Sequence, residues 1–240
     1  MTCIVKNISS VKTRIEQSAI SAGRNTDALQ LLAVSKTRTS DEIKSAFSQG
    51  LNAFGENYVQ EALDKIHSLE SLPIEWHFIG PLQSNKTKQV AENFSWVHAV
   101  DRLKIAKRLN DQRPKHLGPL NICLQINIDN EPTKSGVMPD QASDLAISIS
   151  QFSHLRLRGL MAIPLSRHDI ESQRLPFKAL RLLQEEINRQ LDNSKKLDTL
   201  SMGMSGDIEA AIHEGSTVLR VGTDIFGPRI NKVNEGHKIP

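Results

Sequence analysis

The chain has 240 residues, 24% of them charged and 38% hydrophobic, with 30 basic against 27 acidic side chains for a net charge of +3. That length and apolar content are enough to bury a real core, as one large α/β domain or two small ones. A nearly balanced charge with no basic block or aromatic-interleaved stripe argues against a nucleic-acid partner.

The chain opens with Val5, Ile8, Val11 and Ile15 at helical spacing and charges between them. This stretch lacks the uninterrupted apolar core of a signal peptide or a membrane span. Cys3 and Cys123 are too few and too far apart for a disulfide framework or a zinc site. A cytoplasmic protein with reduced thiols is expected.

After this leading helix, short apolar runs rich in β-branched residues or phenylalanine alternate with amphipathic stretches. The expected strands are "LLAVSK" (31–36), "NAFGEN" (52–57), "EWHFIG" (75–80) and "SWVHAV" (95–100). Four more follow at "NICLQINI" (121–128), "RLRGLMAI" (156–163), "DTLSMG" (198–203) and "TVLRVG" (217–222). Ala142, Leu145, Ala146 and Ile149 mark one helix between them, and Phe177, Leu180, Leu183, Ile187 and Leu191 a longer one. Thr39 with Glu42 has capping-box spacing, as does Asn57 with Gln60, and Asp101 opens the helix carrying Leu103, Ala106 and Leu109.

Eight strands with interleaved helices describe a (β/α)8 TIM barrel with an extra N-terminal helix. A doubly wound sheet wants a glycine-rich turn after its first strand, and "SKTRTS" has no glycine. No linker or short repeat divides the chain, so one domain over residues 1–240 is expected. The softest loops are 127–140 and 164–176.

In a barrel, chemistry sits at the C-terminal ends of the strands. Strand one exits at Lys36, strand two at Glu56 and Asn57, and strand three at Gly80 with His77 just inside it. Strand five exits at Asn127 and strand six at Met161. The seventh and eighth exits, "SMGMSGD" (201–207) and "RVGTDIFG" (220–227), lie where this fold commonly builds a phosphate cup. Ser205, Gly222 and Thr223 with their backbone suit a phosphate monoester; alone, Ser205 reads sooner as a helix N-cap and Gly222 as a tight turn, and the two together favour the phosphate. Side-chain alternation turns Arg220 inward with Gly222, where a guanidinium is costly unless something accepts from it. Lys36, on the neighbouring strand one, would have its amine pKa lowered by desolvation and by that cation, which suits a Schiff-base nucleophile. Phosphate cup, lysine and arginine together describe a site for pyridoxal 5′-phosphate (PLP).

The sequence resembles the YggS/PROSC family, the PLP-binding homeostasis proteins. The resemblance spans nearly the whole chain, through "AVSKT", "FGENYVQEA", "EWHFIGPLQSNK", "QINI", "KSG", "RGLMAIP", "LSMGMSGDIEAAI" and "GSTVLRVGTDIFGPR". It implies a barrel similar to the N-terminal domain of alanine racemase, the type III fold of PLP proteins. It also implies PLP held covalently as a Schiff base on Lys36, Asn57 beside the cofactor and Arg220 facing the pyridine nitrogen. Ser205, Gly222 and Thr223 would hold the phosphate, with Ser201, Met202, Gly203 and Met204 lining the same wall.

An arginine can only donate to the ring nitrogen, which leaves the ring a weaker electron sink than one paired with a carboxylate. The only tyrosine, Tyr58, follows a helix cap, and no second domain is expected to supply another proton carrier. The function implied is a carrier or regulator of intracellular PLP (vitamin B6) without turnover. It would work as a monomer, with PLP and apo PLP enzymes as partners.

Three rivals share some of these features. A PLP-dependent racemase or lyase would use the same binding residues, with His77 as a second base, although a structural role for His77 is the plainer expectation. A cofactor-free Schiff-base aldolase acting on a sugar phosphate would use the lysine, but Lys36 on strand one with Arg220 on strand eight fits PLP better. A P-loop in "GPLQSNKT" (80–87) fails because Asn85 replaces the glycine that lets the backbone wrap the phosphates. Lys65 and Lys134 are spare amines, expected to be solvated.

Overall fold

The computed structural model describes residues 2–228. Arg229, which closes the last motif, and the C-terminal part of the expected 1–240 domain lie outside them. Eight parallel strands close into a barrel in sequence order, with the first paired to the eighth. They are β1 (Gln30–Val34), β2 (Ala53–Glu56), β3 (Glu75–Phe78), β4 (Trp96–Val100), β5 (Leu120–Gln125), β6 (Leu155–Met161), β7 (Thr199–Ser201) and β8 (Val218–Val221). All but β4, which ends at Val100 as expected, end one to three residues earlier than their apolar runs. Those last residues splay into the loops that form the mouth of the barrel.

Helices α1 (Thr2–Ser21), α2 (Ser40–Phe47), α3 (Val59–Ser68), α4 (Thr87–Asn93) and α5 (Leu103–Gln112) surround the first half. Around the second half stand α6 (Pro139–Ile149), α7 (Ile170–Gln190), α8 (Ile208–His213) and α9 (Thr223–Phe226). Most of the apolar core lies between strands and helices, where outward residues such as Ala33, Phe54, Phe78, Val97 and Leu219 meet the buried helix faces. The extra helix α1 joins this core through Ile8, Val11, Ile15 and Ala19 and lies against α8 and α9.

The capping box at Thr39 and Glu42 forms as expected: Glu42 N donates to the Thr39 hydroxyl, and the Glu42 carboxylate accepts from Thr39 N. Two other helix starts differ. Tyr58, not Asn57, precedes α3, and Arg102, not Asp101, precedes α5, neither with a side-chain cap. Asn57 is turned into the barrel mouth instead.

Both soft loops are also more ordered than expected. Asn127 bonds Glu131 through both its amide oxygen and its amide nitrogen, and a bridge joins Ile126 to Val137. Asp169 caps α7 by accepting from Ser172 N at 2.8 Å, so that helix begins well before Pro176 and runs through it. Among the described residues no helix is long and apolar enough to cross a membrane, and no cluster of metal-ligating side chains occurs.

Candidate functional site

The strand exits enclose a cavity of about 230 Å³ at the C-terminal mouth of the barrel. Val34 and Lys36 enter it from β1, Asn57 from β2 and Ile79 from β3. The opposite wall is Met204, Ser205 and Gly206 after β7, with Arg220, Gly222 and Thr223 at the end of β8 and Ile163 after β6. Because side chains alternate, Lys36 shares the inward face with Val34, while Ser35 turns out toward α3.

The turn carrying Lys36 is held on both sides. Lys65 of α3 is buried, not solvated as expected. Its ammonium donates to the Ser35 carbonyl at 2.7 Å, to Glu56 at 2.8 Å and to Glu61 at 2.6 Å, which uses all three N–H groups. The Ser35 hydroxyl donates to Glu56, and Thr37 N donates to Glu61 at 2.5 Å. Thr37 has φ 65°, a left-handed conformation that a β-branched residue adopts only when its surroundings impose it. Burial holds the Glu56 carboxyl above the usual range, against the pull of Lys65 and the Ser35 hydroxyl.

Asn57 reaches the mouth because the backbones of β2 and β3 nearly touch. A Cβ on Gly80 would stand 2.2 Å from the Asn57 carbonyl oxygen, so only glycine permits that approach. The Asn57 side-chain oxygen is buried without a protein partner. An orphaned buried acceptor in a cavity suits a ligand that donates to it.

Arg220 is 4% exposed. It donates from Nη1 to the Ser201 carbonyl and hydroxyl and from Nη2 to the Ala162 carbonyl, all neutral oxygens. Burial lowers its pKa to about 10, which leaves it a cation at neutral pH. Beside it, Gly203 at φ 95° swings the chain toward Ser205, where a Cβ would stand 2.6 Å from that of Ala211. Ser205 does not cap α8: Asp207 occupies that position and accepts from Met204 N. The Ser205 hydroxyl instead accepts from Asp224 N at 3.4 Å, which ties the β7 loop to the start of α9.

The chain matches the alanine racemase N-terminal domain family over residues 7–229. It is 52% identical over 229 residues to the pyridoxal phosphate homeostasis protein of Pseudomonas aeruginosa, covering 95% of this chain and 97% of that one. The chain belongs to the pyridoxal phosphate homeostasis family. A solved member, PipY of Synechococcus elongatus with PLP bound, is 33% identical and superimposes with a TM-score of 0.82 over 93% of this chain and all of that one. Alanine racemase from Corynebacterium glutamicum shares the fold alone, at 14% identity and a TM-score of 0.72 over 95% of this chain and 62% of its own length.

Seven of the ten residues expected at the site of this family member line the cavity: Lys36, Asn57, Met204, Ser205, Arg220, Gly222 and Thr223. The other three stand behind it. Strand β7 is only three residues long, and the pleat turns Met202 outward into the helix-side core. Ser201 meets Arg220 from below, and Gly203 supplies the turn. Gly206, which suits backbone phosphate contacts, also lines the cavity. Val34, Ile79 and Ile163 are not singled out by the sequence, although Val34 and Ile79 are two positions from Lys36 and His77 on the same faces. Past Ile79 and Ile163 the mouth opens into a second hollow of about 300 Å³, lined in part by Asn127 and Lys134. Lys134 pairs with Glu131 and donates to the Ile163 carbonyl, so it too is less free than expected.

Proposed function

We propose that this chain binds PLP covalently through Lys36 and serves as a carrier or regulator of intracellular PLP, without catalytic turnover. The observation that carries this is the placement of a lysine amine, a buried arginine and an orphaned asparagine oxygen around one cavity. The membership reported above supports the choice of PLP over a sugar phosphate.

The residues divide the work. Lys36 offers the amine, and its clamped neighbours keep it aimed inward. Arg220 presents a fixed donor that cannot accept a proton, and Asn57 offers an acceptor. Backbone and hydroxyl groups of Ser205, Gly206, Gly222 and Thr223 would hold the phosphate. When bound, PLP would supply an aldehyde able to react with the Lys36 amine with loss of water.

Turnover of amino acids would need a second proton carrier at the cavity. Tyr58 is 58% exposed and does not line it. His77 is enclosed, with both ring nitrogens engaged in hydrogen bonds. The chain would act as a single-domain monomer in the cytoplasm. Purified protein should bind PLP with a new absorption band, fail to racemise or cleave amino acids, and sediment as a monomer. It should also reactivate an apo PLP enzyme faster than the same amount of free PLP. Rapid amino-acid turnover would convert it to a PLP enzyme, and reactivation no faster than by free PLP would remove the carrier role.

A further inference from the structure

The interior of the barrel below the cavity is polar where this fold usually stacks branched aliphatic side chains. His77 from β3, His98 from β4 and Ser201 from β7 all point inward and are fully buried. They join end to end. Arg220 Nη1 lies 2.9 Å from the Ser201 hydroxyl, which lies 2.7 Å from His98 Nδ1. His98 Nε2 lies 2.9 Å from His77 Nδ1, and His77 Nε2 lies 2.7 Å from Glu75 Oε1. Glu75 begins β3 at the opposite mouth, where its side chain is 40% exposed. The line therefore crosses the barrel from bottom solvent to the cavity.

Its direction follows from its ends. A guanidinium only donates and a carboxylate only accepts. Ser201 accepts from Arg220, and with both rings neutral the carboxylate end makes His98 Nδ1 the acceptor of the Ser201 proton. His98 is then protonated on Nε2 and donates to His77 Nδ1, and His77 donates from Nε2 to Glu75. With this arrangement a second proton on His77 would set its Nδ1–H against the Nε2–H of His98. Burial lowers the pKa of both imidazoles, most strongly for His98, which also faces His77 and Arg220.

Other charged and titratable groups near the line come from every side. Asp207 acts on Arg220 from above, and Arg158 of β6 lies over the Trp96 ring near Asp198. Cys123 of β5 has its thiol pushed up to about 12 by burial and stays neutral. A buried network of this kind gains little stability over an apolar filling.

We propose that Ser201, His98, His77 and Glu75 are positioning residues that act through Arg220: they fix the orientation of the one cation that meets the bound cofactor's ring. This rests on the PLP reading and deepens it. Two measurements on the full chain separate the two. In cofactor-free protein, ¹⁵N imidazole NMR should show both histidines as Nε2–H tautomers that do not titrate from about pH 5 to about pH 8. An Nδ1–H tautomer or a titrating ring would overturn the chain whatever the protein binds.

With PLP added, Glu75→Gln keeps an acceptor and should match the parent protein. Glu75→Leu and Ser201→Ala should shift the absorption maximum of bound PLP and weaken its binding roughly fivefold or more. Ser201→Thr, which keeps the hydroxyl, should restore both. Variants that lower the melting temperature but leave band and affinity unchanged would reduce the line to a structural role. Absence of any band in the parent protein would overturn the cofactor reading and this role with it, while the tautomers would still report on the chain.

Discussion

Arg14 of the N-terminal helix donates from Nη1 to the carbonyl oxygen of Ser205 at 2.8 Å, across 191 positions of sequence. The same guanidinium reaches Asp224 at 3.1 Å and grips Glu209 through Nε and Nη2 at 2.5 and 2.6 Å. The helix that precedes the barrel is thus a brace behind the proposed phosphate cup, holding the loop after β7 to the start of α9. Arg14→Ala should weaken PLP binding by roughly threefold to tenfold, as expected for losing charge-assisted contacts that order a site. Equilibrium titration by absorbance checks this. Unchanged affinity would mean the cup is held by its own turns.

The same brace has a pH dependence with a definite sign. The hydrogen bonds from Arg14 hold the Glu209 carboxyl below its ordinary value of 4.5. Its contribution is therefore present above that value and is lost as pH falls through the folded-state pKa. The melting temperature of Glu209→Gln should lie below that of the parent protein at neutral pH, and the gap should close in acid below pH 4.5. A gap that widened in acid would contradict the brace.

Lys65 offers a sharper test of the clamp beside Lys36. Lys65→Met leaves Glu56 buried without its cation and frees Glu61 from one of its two partners. Breaking a buried pair by removing one member typically costs about 3–5 kcal/mol. Urea unfolding should show a loss of that order, and PLP capture should slow because Ser35 and Thr37 are no longer fixed. Full stability with full capture would show that the cluster holds nothing in place.

Gly80→Ala tests the close approach that delivers Asn57. The added methyl meets backbone rather than a flexible side chain, at 2.2 Å from the Asn57 oxygen. The strands must separate, at a cost of about 1–3 kcal/mol or more. PLP affinity should fall along with stability. If affinity is kept while stability drops, Asn57 has no part in the site.

Much of this was legible in the residues, for physical reasons that can be named. Alternation along β8 assigned Arg220 to the interior together with Gly222, and Lys36 was legible from its place at the exit of β1. Lys65 was misjudged because a lysine on a helix is usually solvated. Yet it stands three positions after Ala62 and four before Leu69, on the stripe that α3 buries. Arg14 carried no local signal, since its partners Ser205, Glu209 and Asp224 come together only when the barrel closes. The histidine line was hidden in the same way: His77 sits between the outward aromatics Trp76 and Phe78, His98 stands where β4 shifts register between Val97 and Val100, and only the closed barrel places them in contact.

The most direct measurement is to reduce the PLP-loaded protein with borohydride and map the adduct by peptide mass. A single pyridoxyl group on Lys36, absent from Lys36→Ala, is the predicted result. An adduct on Lys134, or scattered over surface lysines, would contradict covalent binding at the barrel mouth.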